Sequence, residues 1–150
     1  MKKWLQKRLK NEKGLTLVEL LAVIVILGII AAIAVPSIGS LIENQRIKAT
    51  KADALNAIAA AELYFVENDT KDNVSLTDLK KDGYMTDLGK LQTENGLVTK
   101  AKEDKKTSIT ATAKYGDKAE EAVSFTNATI ESINKSGNSK TVTGTPTPTP

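Results

Sequence analysis

Lys13 to Pro36 reads KGLTLVELLAVIVILGIIAAIAVP, the most apolar segment of the chain. From Leu20 to Ile42 there are 23 consecutive residues without a charged side chain, long enough to span a bilayer as a helix. Before it stand Lys2, Lys3, Lys7, Arg8, Lys10 and Lys13 against Glu12, a local charge of +5. Such a basic tip stays on the cytoplasmic side of a membrane, so everything after the helix faces outward. The 150-residue chain carries +3 in total, which leaves −2 for residues 15–150. Its basic balance therefore belongs to the tip and not to the body, whereas a phosphate-binding domain needs clustered Lys and Arg on its folded surface.

Three ordinary explanations of the apolar run compete. Ala32-Ile33-Ala34 is a small-x-small site after which a secretory signal could be cut, releasing a soluble binding module that begins at Val35. A plain single-pass anchor and an apolar core helix are the other two. None of them accounts for Glu19, a carboxylate just ahead of the run, where an acidic side chain is either drawn to the interface or held by a partner.

Lys13-Gly14-Leu15-Thr16-Leu17-Val18-Glu19, followed by the apolar helix and by Pro36, resembles the class III signal of type IV prepilins and of the pseudopilins of type II secretion and competence systems. The resemblance covers residues 1 to about 66. It implies cleavage by a prepilin peptidase between Gly14 and Leu15, N-methylation of Leu15 by the same enzyme, and retention of the apolar helix. Phe is the usual residue at the position of Leu15, a departure that bears on methylation rather than on cleavage. It further implies a homo-oligomeric helical filament in which Glu19 pairs with the amine of Leu15 on a neighbouring chain. Gly14 has no side chain to obstruct a protease cleft, and a carboxylate–amine pair neutralises two charges in a medium where either alone is costly. Partners implied are the peptidase, an inner assembly platform with its ATPase motor, and the membrane before assembly. The location implied is the cell membrane first and an extracellular filament afterwards. Adhesion, motility, DNA uptake and secretion all use this architecture, and the resemblance does not choose among them.

Gly28 and Pro36 weaken the helix between them, and the corresponding pilin stretch can lose helical order on assembly. Beyond Pro36 a helical period resumes through Ile38, Leu41, Ile42, Gln45, Ala49, Ala52, Leu55, Ala59, Leu63 and Val66. Glu43, Arg46, Lys48, Lys51 and Asp53 are expected on the solvated side, and the second half of the stripe is expected to pack on the chain's own sheet.

The head should be an antiparallel meander. Ile109, Ala111, Ala113 and Tyr115 alternate with Thr110, Thr112 and Lys114, and Val123 and Phe125 alternate with Ser124 and Thr126. An earlier strand is expected over 96–102 and a short fourth near 130–133, with 68–73 as a loop. Ser75-Leu76-Thr77-Asp78 opens a short helix that ends at Gly83. The fold class is therefore α+β: a long N-terminal helix, transmembrane in its first half and amphipathic in its second, packed on a small antiparallel sheet. Its divisions are a leader over 1–14, an assembly helix over 15–42, an amphipathic helix over 43–67, a head over 68–140 and a Thr/Pro-rich tail over 141–150.

The chain contains neither cysteine nor histidine, which removes a disulfide framework, a thiol nucleophile and a Cys/His zinc site. No phosphate-binding glycine loop or nucleophile elbow is present, no cofactor or metal is implied, and Glu62, Glu67, Asp69 and Asp72 read as surface charge rather than an acid–base pair. The one basic cluster of the head, Lys100, Lys102, Lys105 and Lys106, is interrupted by Glu103 and Asp104 to a net +2. It is the place from which any contact with DNA would have to come.

Overall fold

The computed structural model describes residues 2–102, 106–116, 118 and 121–144, with side chains along the first helix from residue 16 onward. The Thr/Pro repeat over 145–150, the side chain of Leu15, and Lys105 with its two acidic neighbours lie outside the described residues. The chain divides into two units, Met1–Ile42 and Glu43–Pro150. The first helix, α1 (Lys2–Glu67), contributes to both.

Within the first unit α1 is helical through Gly28 and Pro36. Proline has no N–H, so the carbonyl of Ala32 lacks the donor that residue 36 would otherwise supply. Leu, Ile, Val and Ala dominate the turns on either side, and the β-branched residues among them fit a helix less well than leucine does. Tertiary or lipid contacts must supply what propensity does not.

The second unit pairs the later part of α1 with a five-stranded sheet. Its strands are β1 (Asn73–Ser75), β2 (Leu97–Thr99), β3 (Ser108–Lys114), β4 (Ala122–Thr129) and β5 (Thr141–Thr143), in spatial order β1-β2-β3-β4-β5. The first four are antiparallel neighbours, in register Val74 with Val98, Val98 with Ile109 and Ala113 with Val123. β5 runs parallel to β4, with Phe125 opposite Val142, so the sheet is mixed and not the antiparallel one expected. The physical reason is the connection. A parallel neighbour needs a crossover, and α3 (Ile130–Lys135) supplies it where a short fourth strand was expected.

Two caps explain the short helices. Ser75 ends β1 and accepts the amide of Asp78 at 3.0 Å to open α2 (Leu76–Lys81), which closes into Gly83 at a φ of +83°. Thr129 accepts the amide of Ser132 at 3.3 Å while the Ser132 hydroxyl accepts the amide of Thr129 at 3.0 Å. That reciprocal box turns the chain from β4 into α3. Where β4 passes the bulge opposite Thr110, Asn127 takes a φ of +47° and donates its amide to the Thr110 hydroxyl at 3.0 Å. Gly144 then lies so close that a side-chain carbon there would fall 1.8 Å from the Asn127 carbonyl oxygen.

The core lies between one face of the sheet and one face of α1. Val98, Ile109, Ala113, Val123, Phe125 and Val142 from the strands meet Ile47, Ala54, Ala57, Ile58, Ala61 and Phe65 from the helix. Of the expected alanine-rich stripe, Ala60 and Ala61 are in the core, but most of its other positions are not. Ala49, Ala52, Ala59, Leu63 and Val66 are exposed instead, Leu63 at 63% and Val66 at 80%, and Leu55 is half-buried. The helix has two apolar faces, and alanine on the inner one lets the sheet approach its backbone closely.

Lys51, expected in solvent, is 5% exposed. Its ammonium donates to the Ser136 hydroxyl at 2.6 Å and to the Gly137 carbonyl at 2.9 Å, satisfying the end of α3. Burial holds its pKa below the ordinary lysine value. At the start of the unit, Lys140 pairs with Glu43 at 2.7 Å and the Tyr115 hydroxyl donates to the same carboxylate at 3.3 Å. The bond to Lys140, reinforced by its charge and then by Tyr115, lowers the Glu43 pKa. Glu43, with Tyr115 second, pushes that of Lys140 up to about 12.

Two outcomes follow for the head. Lys51→Met keeps the apolar stem and removes the donors, so unfolding stability should fall by about 1–3 kcal/mol, as for buried acceptors deprived of a partner. Denaturant unfolding of the detergent-solubilised chain measures it. Glu131, bonded to Lys106 at 2.6 Å and to Lys135 at 2.7 Å, has its pKa drawn from 4.5 down to about 2 by those two lysines. A carboxylate with a depressed folded-state pKa stabilises fully above its unfolded value and loses that contribution as pH falls through the folded one. Thermal midpoints should therefore drop between pH 4.5 and about 2, and Glu131→Gln should flatten the profile there.

Candidate functional site

Nothing within the first unit covers α1. The large apolar side chains from Leu17 to Ile42 are all exposed, Leu17 at 68% and Ile33 at 69%. α1 is long and apolar enough over Thr16–Glu67 to cross a membrane. A contiguous apolar surface of this kind must be met by lipid or by another chain.

The residues expected to matter for processing and assembly all lie on this helix. Gly14 and Leu15 have helical backbone. Glu19 is exposed one turn further on and forms no ion pair among the described residues, so no group of the described chain neutralises it. A side chain added at Gly28 would meet nothing within 4 Å, so no contact within the chain requires glycine there. Pro36 lies one turn before Ser40, whose hydroxyl donates to the Ser37 carbonyl at 2.9 Å. The first unit thus brings these residues onto one element, and among the described residues none of them has an ion-pair partner.

The second unit has an uncovered face of its own. Gln45, Ala52, Ala59 and Val66 recur every seven residues and are exposed, and Lys48, Leu55 and Glu62 recur three positions later. This is the spacing of a helix–helix seam, exposed along its length except at Leu55, which is half-buried and packs against the edge of the core. A periodicity search alone does not separate it from the inner face, because Ala54, Ala57 and Ala61 make an equally small-residue stripe on the other side.

The concave features of the head offer little for chemistry. A groove of about 360 Å³ runs beside α3 and β5, lined by Thr129, Ser132, Ser136 and Ser139 among others. The hydroxyls of those three serines are already bonded to the chain's own carbonyls. Lys100 and Lys102 are paired with Asp69 and Asp72 at 2.5 Å each, and Lys106 with Glu131. The basic cluster is therefore neutralised at its three described members. Among the described residues no group of three or more acidic side chains converges as a metal site.

Against this geometry the comparisons with known proteins fall on the helix. Residues 9–35 match the prokaryotic N-terminal methylation motif. The chain is 36% identical over 59 residues to the type II secretion system core protein G of Pseudomonas aeruginosa, an alignment that spans 39% of this chain and 42% of that one. It is also 36% identical over 76 residues to the competence protein ComGC of Bacillus subtilis, over 50% of this chain and 76% of that protein. No solved structure matches. A motif at the head of an uncovered apolar helix, and a relative covered over three quarters of its length, identify the lineage: the chain belongs to the type IV pilin and pseudopilin family.

Proposed function

We propose that this chain is the precursor of a structural filament subunit, cut between Gly14 and Leu15 and polymerised through α1 outside the membrane in which it first resides. The observation that carries this is the apolar surface from Leu17 to Ile42, uncovered within its own unit, together with the second uncovered seam over 45–66. Lipid covers the first before assembly and sibling helices cover it afterwards. A prepilin peptidase, an assembly platform and its motor are the partners this processing requires, and the chain itself performs no catalysis.

Glu19 supplies the assembly register in this mechanism. Cleavage creates a cationic amine on Leu15, and in an apolar bundle that amine and a carboxylate stabilise one another only where copies are staggered to bring them together. Among neighbouring duties, competence is named for one relative and type II secretion for the other. Either duty is open to a filament of this chain.

Release of a soluble module after Ala34 is the rival. It would discard the first apolar surface but leave Ala49, Ala52, Ala59, Leu63 and Val66 uncovered on the product. Intact-mass measurement of the exported protein separates the two: the subunit begins at Leu15, with or without one methyl group, and the module at Val35. A product beginning at Val35 would sink the filament assignment. Gly14→Leu should accumulate uncut precursor in the membrane. Glu19→Ala should be cut normally yet give filaments reduced about tenfold or more, since an amine buried without its partner costs about 3–5 kcal/mol. Electron microscopy of sheared surface material reads that yield, and parental yield from Glu19→Ala would remove the register role.

A further inference from the structure

Seven charged residues lie on α1 between Glu43 and Glu67, and the head uses four of them. Glu43 holds Lys140, Lys51 holds the end of α3, Asp53 accepts the Lys90 amide at 2.9 Å, and Glu67 accepts the Tyr84 hydroxyl. Arg46, Lys48 and Glu62 have no ion pair among the described residues. Arg46 follows Gln45 by about 100° around the helix and so leaves the seam. Lys48 and Glu62 stand on it, two heptads apart, with Leu55 midway between them and Ala52, Ala59 and Val66 beside them.

Resting on the filament assignment above, we propose that Lys48 and Glu62 form the register pair by which a second copy of this chain docks on the outward face of α1, a different neighbour in the filament from the one whose Leu15 amine meets Glu19. The two copies are parallel, because each enters the membrane with its basic tip inside. They are offset by two heptads, about 21 Å at 1.5 Å per residue. At that offset Lys48 of one copy meets Glu62 of the other, Gln45 meets Ala59, and Ala52 meets Val66. At zero offset like charges oppose one another, Lys48 against Lys48 and Glu62 against Glu62, and Val66 faces Val66. A charged residue at a seam position selects register at some loss of stability, which is the use made of it here. The small side chains between allow the backbones to approach, the opposite charges favour the shifted alignment, and the like charges that would meet at zero offset disfavour the unshifted one.

The test uses the full chain in a host where the parent yields sheared surface filaments. Glu62→Lys and Lys48→Glu should each reduce filaments at least about tenfold, because each sets like charges across the seam. The exchanged double variant, carrying both substitutions, should recover to within about twofold of the parent for the same reason. Single variants that assemble like the parent, or an exchange that recovers nothing, would overturn the pairing. The chain has no cysteine, so Lys48→Cys with Glu62→Cys gives an independent readout. Oxidation should yield a ladder of covalent multimers from the double variant and none from either single one. Parental filaments without that ladder refute the offset, whereas a ladder in membranes from a parent that makes no filaments refutes only the filament assignment.

Discussion

The structure depends on one constraint: a helix with apolar side chains on more than one face cannot be covered by one small sheet. The sheet has a single core face, five short strands wide, and it covers Ala54, Ala57, Ile58, Ala61 and Phe65. The opposite side of the same turns keeps Ala52, Ala59, Leu63 and Val66 in the open. In the first unit even that partial cover is missing. Apolar surface left over in this amount is a statement about partners, since an isolated soluble chain would be expected to lose it or to aggregate through it.

The charges sort themselves by the same division. The helical groups that the head engages tie α1 to the loops and strands of the second unit, and Lys51 does so from a buried position at some electrostatic cost. Removing a cation from water is unfavourable, but here the ammonium donates to the Ser136 hydroxyl and to the Gly137 carbonyl just past the end of α3. Satisfaction of those acceptors offsets part of the desolvation, which explains why a lysine can replace a hydrophobic residue between Thr50 and Ala54 without breaking the core. Of the groups left over, Lys48 and Glu62 lie beside the leftover apolar surface and Arg46 does not.

Much of the fold was legible in the residues themselves. The charge-free run after Glu19 announces the long helix, the Ile-Thr-Ala alternation announces β3, and Ser75 three residues before Asp78 announces α2. What was not legible has definite physical causes. Alanine fits a core and a helix–helix seam equally well, so counting spacings along 45–66 chose the outward face and assigned it to the sheet. Ser132 took the place usually held by Glu or Gln in a capping box, which hid α3 and with it the crossover that makes β5 parallel. β5 itself is three residues long and adjoins the Thr/Pro repeat, so its pattern is too short to register as alternation. Lys51 is hidden for another reason, because its long stem lets a charged residue follow either solvent or core periodicity.

Cleavage chemistry and assembly register are legible to different degrees for a related reason. The pairing of Gly14 with Glu19 is local in sequence, so one chain displays it. The pairing of Lys48 with Glu62 across copies has no meaning within one chain, where the two lie on the same side of one helix and about four turns apart. Only after the head's own ion pairs have been assigned do these two stand out, with Arg46 off the seam, as charges that form no ion pair among the described residues. On the proposed docking, α1 serves as the core of its own head and as the seam between copies, which couples the two tasks. Anything that rotates α1 on the sheet also turns the seam. The buried Lys51 and the Glu43–Lys140 pair, at two points along the inner face, resist that rotation, and so they hold the outward face at a constant angle to the head.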